Sequence, residues 1–167
     1  MASRRLFDPV TLLRVAPLLT STATLVHAGD AHLFLSTLVG LRPQRPKVNE
    51  LAPRYFESFF WRGLPLIFLG YGASVALGVA NYVALRRAAS VSAWYAGGSV
   101  LALAHFAFVP KIMWRVKDAI DADEAPDGPG AQAIQRWLNV HYARMALADF
   151  PAWTCFFVAA LKVLKPI

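Results

Sequence analysis

Cysteine is nearly absent. Cys155 is the single one in 167 residues and sits inside the apolar run AWTCFFVAAL. That excludes an intramolecular disulfide, a CxxC redox pair and a cysteine zinc site, and with them the thiol-redox class of small four-helix membrane enzymes. Charge is scarce too, at 16% of residues, against about 25% in an ordinary soluble domain. The formal charge of +7 is broken into short runs rather than laid along one basic face, so a nucleic-acid partner is not expected. There is no His-x-x-x-His pair, so a metal centre would have to draw ligands from distant segments. No small-residue cleavage site follows the basic start MASRR, and the first hydrophobic segment is expected to be retained. Internal repeats and low-complexity tracts are also missing.

What remains is apolar. Hydrophobic residues make up 57% of the chain and the mean hydropathy is +0.44, more apolar surface than one core of this size can bury. The excess must meet lipid. Basic residues flank the hydrophobic segments: Arg4 and Arg5, Arg42, Arg45 and Lys47, Arg86 and Arg87, Lys162 and Lys165. The expected fold is all-α, a four-helix transmembrane bundle forming one domain over residues 1–167. Its spans fall near 15–41, 63–85, 90–110 and 134–164, each long enough for a ~30 Å hydrocarbon core. An interfacial segment should follow the first span and a short amphipathic helix the third.

The first span is polar for its class, with His27, Asp30 and His32 in VHAGDAH. His27 and Asp30 are i, i+3 neighbours able to share a site. The stretch from Arg42 to Gly63 carries Pro43, Pro46 and Pro53, which should prevent a continuous helix in its first part. Asn49 is placed to cap a helix beginning near Leu51. Tyr55, Phe56, Phe59, Phe60 and Trp61 there read either as an interfacial aromatic belt or as a lid over the bundle. The second span is rich in glycine, alanine and serine, which permits close helix packing in lipid. Beyond Pro110, the pattern KIMWRVKDAIDA predicts the amphipathic helix, with Ile112, Trp114, Val116 and Ile120 partly buried. DADEAPDGPG reads as a solvated loop.

In the last span Trp137, His141 and Arg144 stand at i, i+4 and i+7, one face of a helix. Ionisable groups on a membrane-spanning stripe face the bundle interior and mark a site. The four-span topology brings His27, His105 and His141 to the same half of the bundle. Two chemistries fit. In one, His141 or His105 is a general base on an acidic C–H or O–H of an aromatic substrate, and Arg144 stabilises the anion. Trp137, His27, Asp30, Trp61 and Tyr55 would then contact the substrate. In the other, iron or copper is bound by ligands from His27, Asp30, His32, His105 and His141; a non-catalytic membrane subunit, for example one holding a haem between spans by histidines, is the alternative to an enzyme. A third reading has these groups only tying helix to helix, in a small-molecule binder or a scaffold for other enzymes.

The phrase RWLNVHYARMAL resembles the start of the last span in the anthrone oxygenase-like family of small four-span membrane proteins. HFAFVPKIMWRVKDAI is similar to that family's third span, with its aromatic stretch, proline and short polar helix. The resemblance covers the layout of the whole chain. It implies oxidation of a lipophilic polycyclic aromatic, anthrone-like substrate by molecular oxygen, with no further cofactor and roles for His141 and Arg144 beside Trp137. It also implies residence in a membrane, with the endoplasmic reticulum expected. Partners are then the lipid bilayer and the aromatic substrate, with a homo-oligomer left open. The first span departs from the family's small-residue pattern, carrying HAGDAH instead, so His27, Asp30 and His32 take no support from the likeness.

Overall fold

The computed structural model describes residues 8–164, so Arg4, Arg5, Lys165 and the start of the chain lie outside it. Four long rods form the bundle. Helix α1 is Pro9–Gly40 and α2 is Arg45–Ala84. Helix α3, Ala89–Ala104, continues through a 3-10 turn, His105–Phe108, into α4, Val109–Ile120. Helix α5, Gly130–Arg144, continues through a π turn, Met145–Asp149, into α6, Phe150–Val163. All four rods are long and apolar enough to cross a membrane, and the described residues contain no strand.

The expected break after the first span is much smaller than its prolines suggest. Only Arg42–Gln44 is 3-10, and α2 then runs unbroken past Pro53 and Pro65. Pro46 sits in the first turn, where a missing N–H is harmless. Asn49 is therefore not a cap. Its side chain accepts from the Ala131 N–H at 3.2 Å and donates to the Pro126 carbonyl at 3.0 Å, pinning the acidic loop and the start of α5. Pro17, inside α1, leaves the Leu13 carbonyl without its helical donor. Asn81 of α2 supplies one, with Nδ2 2.9 Å from that oxygen.

The rods pack around two cores. One gathers Leu35, Phe56, Val116, Ile134, Trp137 and Leu138 from α1, α2, α4 and α5. The other gathers Tyr71, Tyr95, Ala102, Ala152, Phe156 and Ala159 from α2, α3 and α6. Close backbone approach makes the second core tight: a Cβ added at Gly98 would lie 2.6 Å from the Phe156 ring. The amphipathic helix is α4, with Ile112 and Val116 buried and Ile120 partly so, but Trp114 is 68% exposed on its outer face.

The outer surface divides at the same level as the cores. No Asp, Glu, Lys or Arg occurs in 15–29, 63–85 or 88–110, and 145–161 contains only Asp149, which is buried. The longer of these stretches cover about 35 Å at 1.5 Å per residue, matching a ~30 Å hydrocarbon core. The exposed side chains of this half include Leu19, Val26, Leu66, Leu69, Val100 and Phe157. The other half exposes Lys47, Glu50, Arg54, Arg62, Lys111, Lys117 and Arg136. Bilayer therefore suits one half of the bundle, and the rest stands at and above the boundary.

Candidate active site

Four polar side chains meet between the two cores, at the upper edge of the charge-free band. Arg144 ends α5, and Asp149 ends the π turn that follows. In an α-helix, residues five apart point about 140° away from each other. The wider π turn turns Asp149 back toward Arg144, and the Nε–Oδ2 distance is 3.1 Å. Pro151, in the first turn of α6, accounts for the wide turn, because its ring and missing N–H disrupt the regular ladder just before it. The other carboxylate oxygen of Asp149 lies 2.9 Å from His105 Nδ1, brought by the 3-10 turn after α3. Arg144 Nη2 reaches His141 Nδ1 at 2.9 Å, and His141 Nε2 reaches the Ala28 carbonyl at 3.0 Å. All four side chains are nearly inaccessible: His105 3%, His141 1%, Arg144 6% and Asp149 4%.

Donor and acceptor chemistry assigns the protons. Arginine only donates, so His141 Nδ1 accepts; a carbonyl only accepts, so His141 Nε2 carries the hydrogen. Both nitrogens of His141 are thus engaged, and its basic lone pair is covered by Arg144. The carboxylate fixes His105 the other way round, with Nδ1 donating to Asp149. In the neutral ring, Nε2 of His105 keeps a free lone pair, with no hydrogen-bond partner among the described residues. Arg144 Nη1 likewise has none among them. Tyr71 lies tilted against His105 with centroids 3.7 Å apart, and Trp137 stacks on His141 at 4.9 Å. The buried Tyr71 hydroxyl lies beside Asp149 and Thr24 without a regular hydrogen bond to either.

His105 borders a cavity of about 280 Å³. Its walls are mostly apolar, among them Ala31, Phe60, Leu64, Ile67, Phe106 and Ile112, and its polar lining comes from Thr24, His27, Tyr71, His105, His141 and Arg144. Small-molecule pockets run from ~300 Å³ upward, so this one suits a small lipophile or one end of a larger one.

The residues singled out from the sequence separate into two groups. His105, His141, Arg144, Trp137 and His27 all line the cavity. Asp30 does not join them. Positions 28, 31, 35 and 39 of α1 face the bundle, which leaves Asp30 exposed on the outer side. His32 is exposed as well, with Nδ1 3.0 Å from the Tyr142 hydroxyl. Phe56 and Phe60 take the inward face of α2, so Tyr55 and Trp61 are 37% and 49% exposed; Tyr55 borders an outer hollow and Trp61 neither space. The five residues offered as metal ligands are accordingly not assembled, and no group of three His, Cys, Asp or Glu is placed to hold an ion among the described residues. Asp149 and Tyr71 went unnoticed in the sequence. Asp149 had a signal, as the single acid inside a charge-free span; Tyr71 had none.

Comparison with known proteins gives consistent relatives. The chain is 32% identical to epoxidase pydX of an Acremonium species over 160 residues, 93% of this chain and 96% of that one. It is 32% identical to the probable epoxidase scpX of Mollisia scopiformis over 164 residues, covering 93% and 98%. Epoxidase gkaX of Penicillium citrinum is 30% identical over 156 residues, covering 92% and 95%. No protein-family profile matches the chain, and no solved structure matches it significantly.

Proposed function

The chain belongs to the family of the pydX, scpX and gkaX epoxidases, and on that premise we propose that it is a membrane-embedded oxygenase acting on a lipophilic unsaturated or polycyclic aromatic substrate. One observation carries the reading: His105 lines an apolar cavity while Asp149 holds its Nδ1, so that Nε2 is left without a hydrogen-bond partner among the described residues. A carboxylate behind an imidazole fixes the tautomer and stabilises the charge that appears when the ring takes a proton. His105 is therefore the base in this reading. His141, with both nitrogens engaged, positions Arg144, and Arg144 Nη1 is the donor for an oxyanion.

Such a site removes a proton from an acidified C–H or O–H and leaves an electron-rich anion beside molecular oxygen. For an anthrone-like substrate the balance closes without a further reductant: one O₂ converts the CH₂ to a carbonyl and leaves as one carbonyl oxygen and one water. Epoxidation of an alkene by O₂ takes two more electrons and two protons, which a separate two-electron donor must supply. The two are distinguished by incubating membranes carrying the chain under ¹⁸O₂ with an anthrone or a lipophilic polyene, each with and without a reduced nicotinamide. The expected product carries oxygen-18, and its yield collapses in His105→Ala. Oxygenated product without label, or full yield from a folded His105→Ala variant, overturns the proposal.

A further inference from the structure

We infer that the substrate reaches the cavity sideways, from the boundary layer of the bilayer, through a portal between α1 and α2 that the His27 ring closes; this rests on the oxygenase reading of the cavity. A second hollow of about 390 Å³ lies outside the first. The two share three wall residues, His27, Phe59 and Gly63. At one of these three, residue 63, α2 presents no side chain, because it is glycine. The His27 ring occupies that space: a Cβ added to Gly63 would stand 3.1 Å from His27 Nε2 and 3.3 Å from Cε1. The ring rests on bare backbone; a side chain at 63 would displace it by a few tenths of an ångström and fill the opening with its own volume.

His27 also differs from the other histidines in what holds it. His32, His105 and His141 each have a hydrogen-bonding partner. His27 has none among the described residues, and it is half-buried rather than enclosed. An unanchored ring at a partly open surface changes rotamer on the picosecond to nanosecond scale. Swinging it away from Gly63 joins the two hollows without moving a helix.

The outer hollow also fits a particular kind of molecule. It straddles the level at which charged surface gives way to apolar surface: Tyr55, Ser58 and Arg62 are its polar wall, and Leu66 lies on the lipid side. Arg62 makes no ion pair among the described residues. The occupant is an amphiphile whose apolar body lies in the bilayer and whose polar end, anionic or accepting hydrogen bonds, sits at Arg62. Its apolar end passes His27 to reach His105.

The test uses full-length protein in lipid nanodiscs and stopped-flow energy transfer from tryptophan to anthracene-9-carboxylate. Gly63→Val jams the portal and should slow uptake and release together several-fold. Gly63→Ala, a milder wedge, covers the case in which valine prevents folding. His27→Ala removes the door and should speed both rates. Anthracene without the carboxylate should bind with the same His27 dependence but lose sensitivity to Arg62→Ala. Unchanged rates in folded Gly63→Ala and His27→Ala overturn the portal, as does a change in only one of the two rates, which alters affinity rather than passage. The outcomes separate from those of the proposed function. Rates that shift while His105→Ala retains turnover leave the portal standing and remove the oxygenase; rates that hold while His105→Ala abolishes turnover do the reverse.

Discussion

Replacing Asp149 by asparagine keeps the shape of the hub and removes its charge, and the structure says what each neighbour then does. Arg144 Nε–H can only donate, so the amide must turn its oxygen toward Arg144. Its NH₂ is then left facing His105 Nδ1, which is 2.9 Å from the carboxylate in the native protein. To accept from that NH₂, His105 must move its proton to Nε2, the nitrogen that serves as the base in the proposed reaction. The base is lost by a change of tautomer with every heavy atom in place. General-base catalysis is worth about 10²–10⁴-fold, so turnover should fall by that factor, equivalent to about 3–5.5 kcal/mol of barrier. Stability falls as well, by about 3–5 kcal/mol, because Arg144 is left buried without its counter-charge. The assay is the initial rate of oxygenated product from detergent-free nanodiscs, alongside thermal unfolding followed by tryptophan emission. The double variant Asp149→Asn/Arg144→Met separates the two effects. With the arginine gone, no buried charge is uncompensated, so stability should recover. The amide is also free to turn its oxygen to His105 and restore the native tautomer, but the oxyanion donor is gone with Arg144, so turnover stays low while stability recovers. A folded Asp149→Asn protein with native turnover would refute the dyad, and so would a double variant no more stable than the single.

Other substitutions probe the remaining parts. His141→Ala strips the partners of Arg144 Nη2 and of the Ala28 carbonyl, and should cost about 1–3 kcal/mol in unfolding experiments; because His105 keeps its lone pair, turnover should fall less than in His105→Ala. Asp30→Ala, on the exposed face of α1, should leave turnover unaltered and stability within about 0.5 kcal/mol; a large loss of activity would put Asp30 back at the site. Gly98→Ala drives a methyl against the Phe156 ring and should destabilise by about 1–3 kcal/mol, with Phe156→Leu relieving it in the double variant. Asn81→Leu removes the donor that serves the Leu13 carbonyl behind Pro17, and restoring the helical N–H with Pro17→Ala should recover stability in the pair, as read by unfolding.

The sequence carries the four spans because charge and apolar length are local properties, and the stripe Trp137, His141, Arg144 because ordinary helical periodicity holds through α5. It does not show how far α2 continues, since whether Pro53 breaks a helix depends on what the freed carbonyl meets. In this protein, the start of α5 packs against that carbonyl: a Cβ on Gly130 would lie 2.6 Å from the Asn49 oxygen. The misplacement of Asp30 and the omission of Asp149 have one origin. Neighbourhood in sequence draws Asp30 in, because it stands three residues from His27, and passes over Asp149, because it stands off the stripe. For Asp30 the regular helix wins, and the face that holds Ala28 and Ala31 excludes it. For Asp149 the regular helix fails, because the π turn before Pro151 rewinds the chain by enough to aim the carboxylate inward. A register change of this kind is invisible to any fixed period. Energetics still point to it: an acid inside a charge-free span must find a cation or a proton donor, and Arg144 and His105 are the groups within reach. The demand for a partner locates the hub where periodicity does not, and the hub decides which histidine has a lone pair to offer.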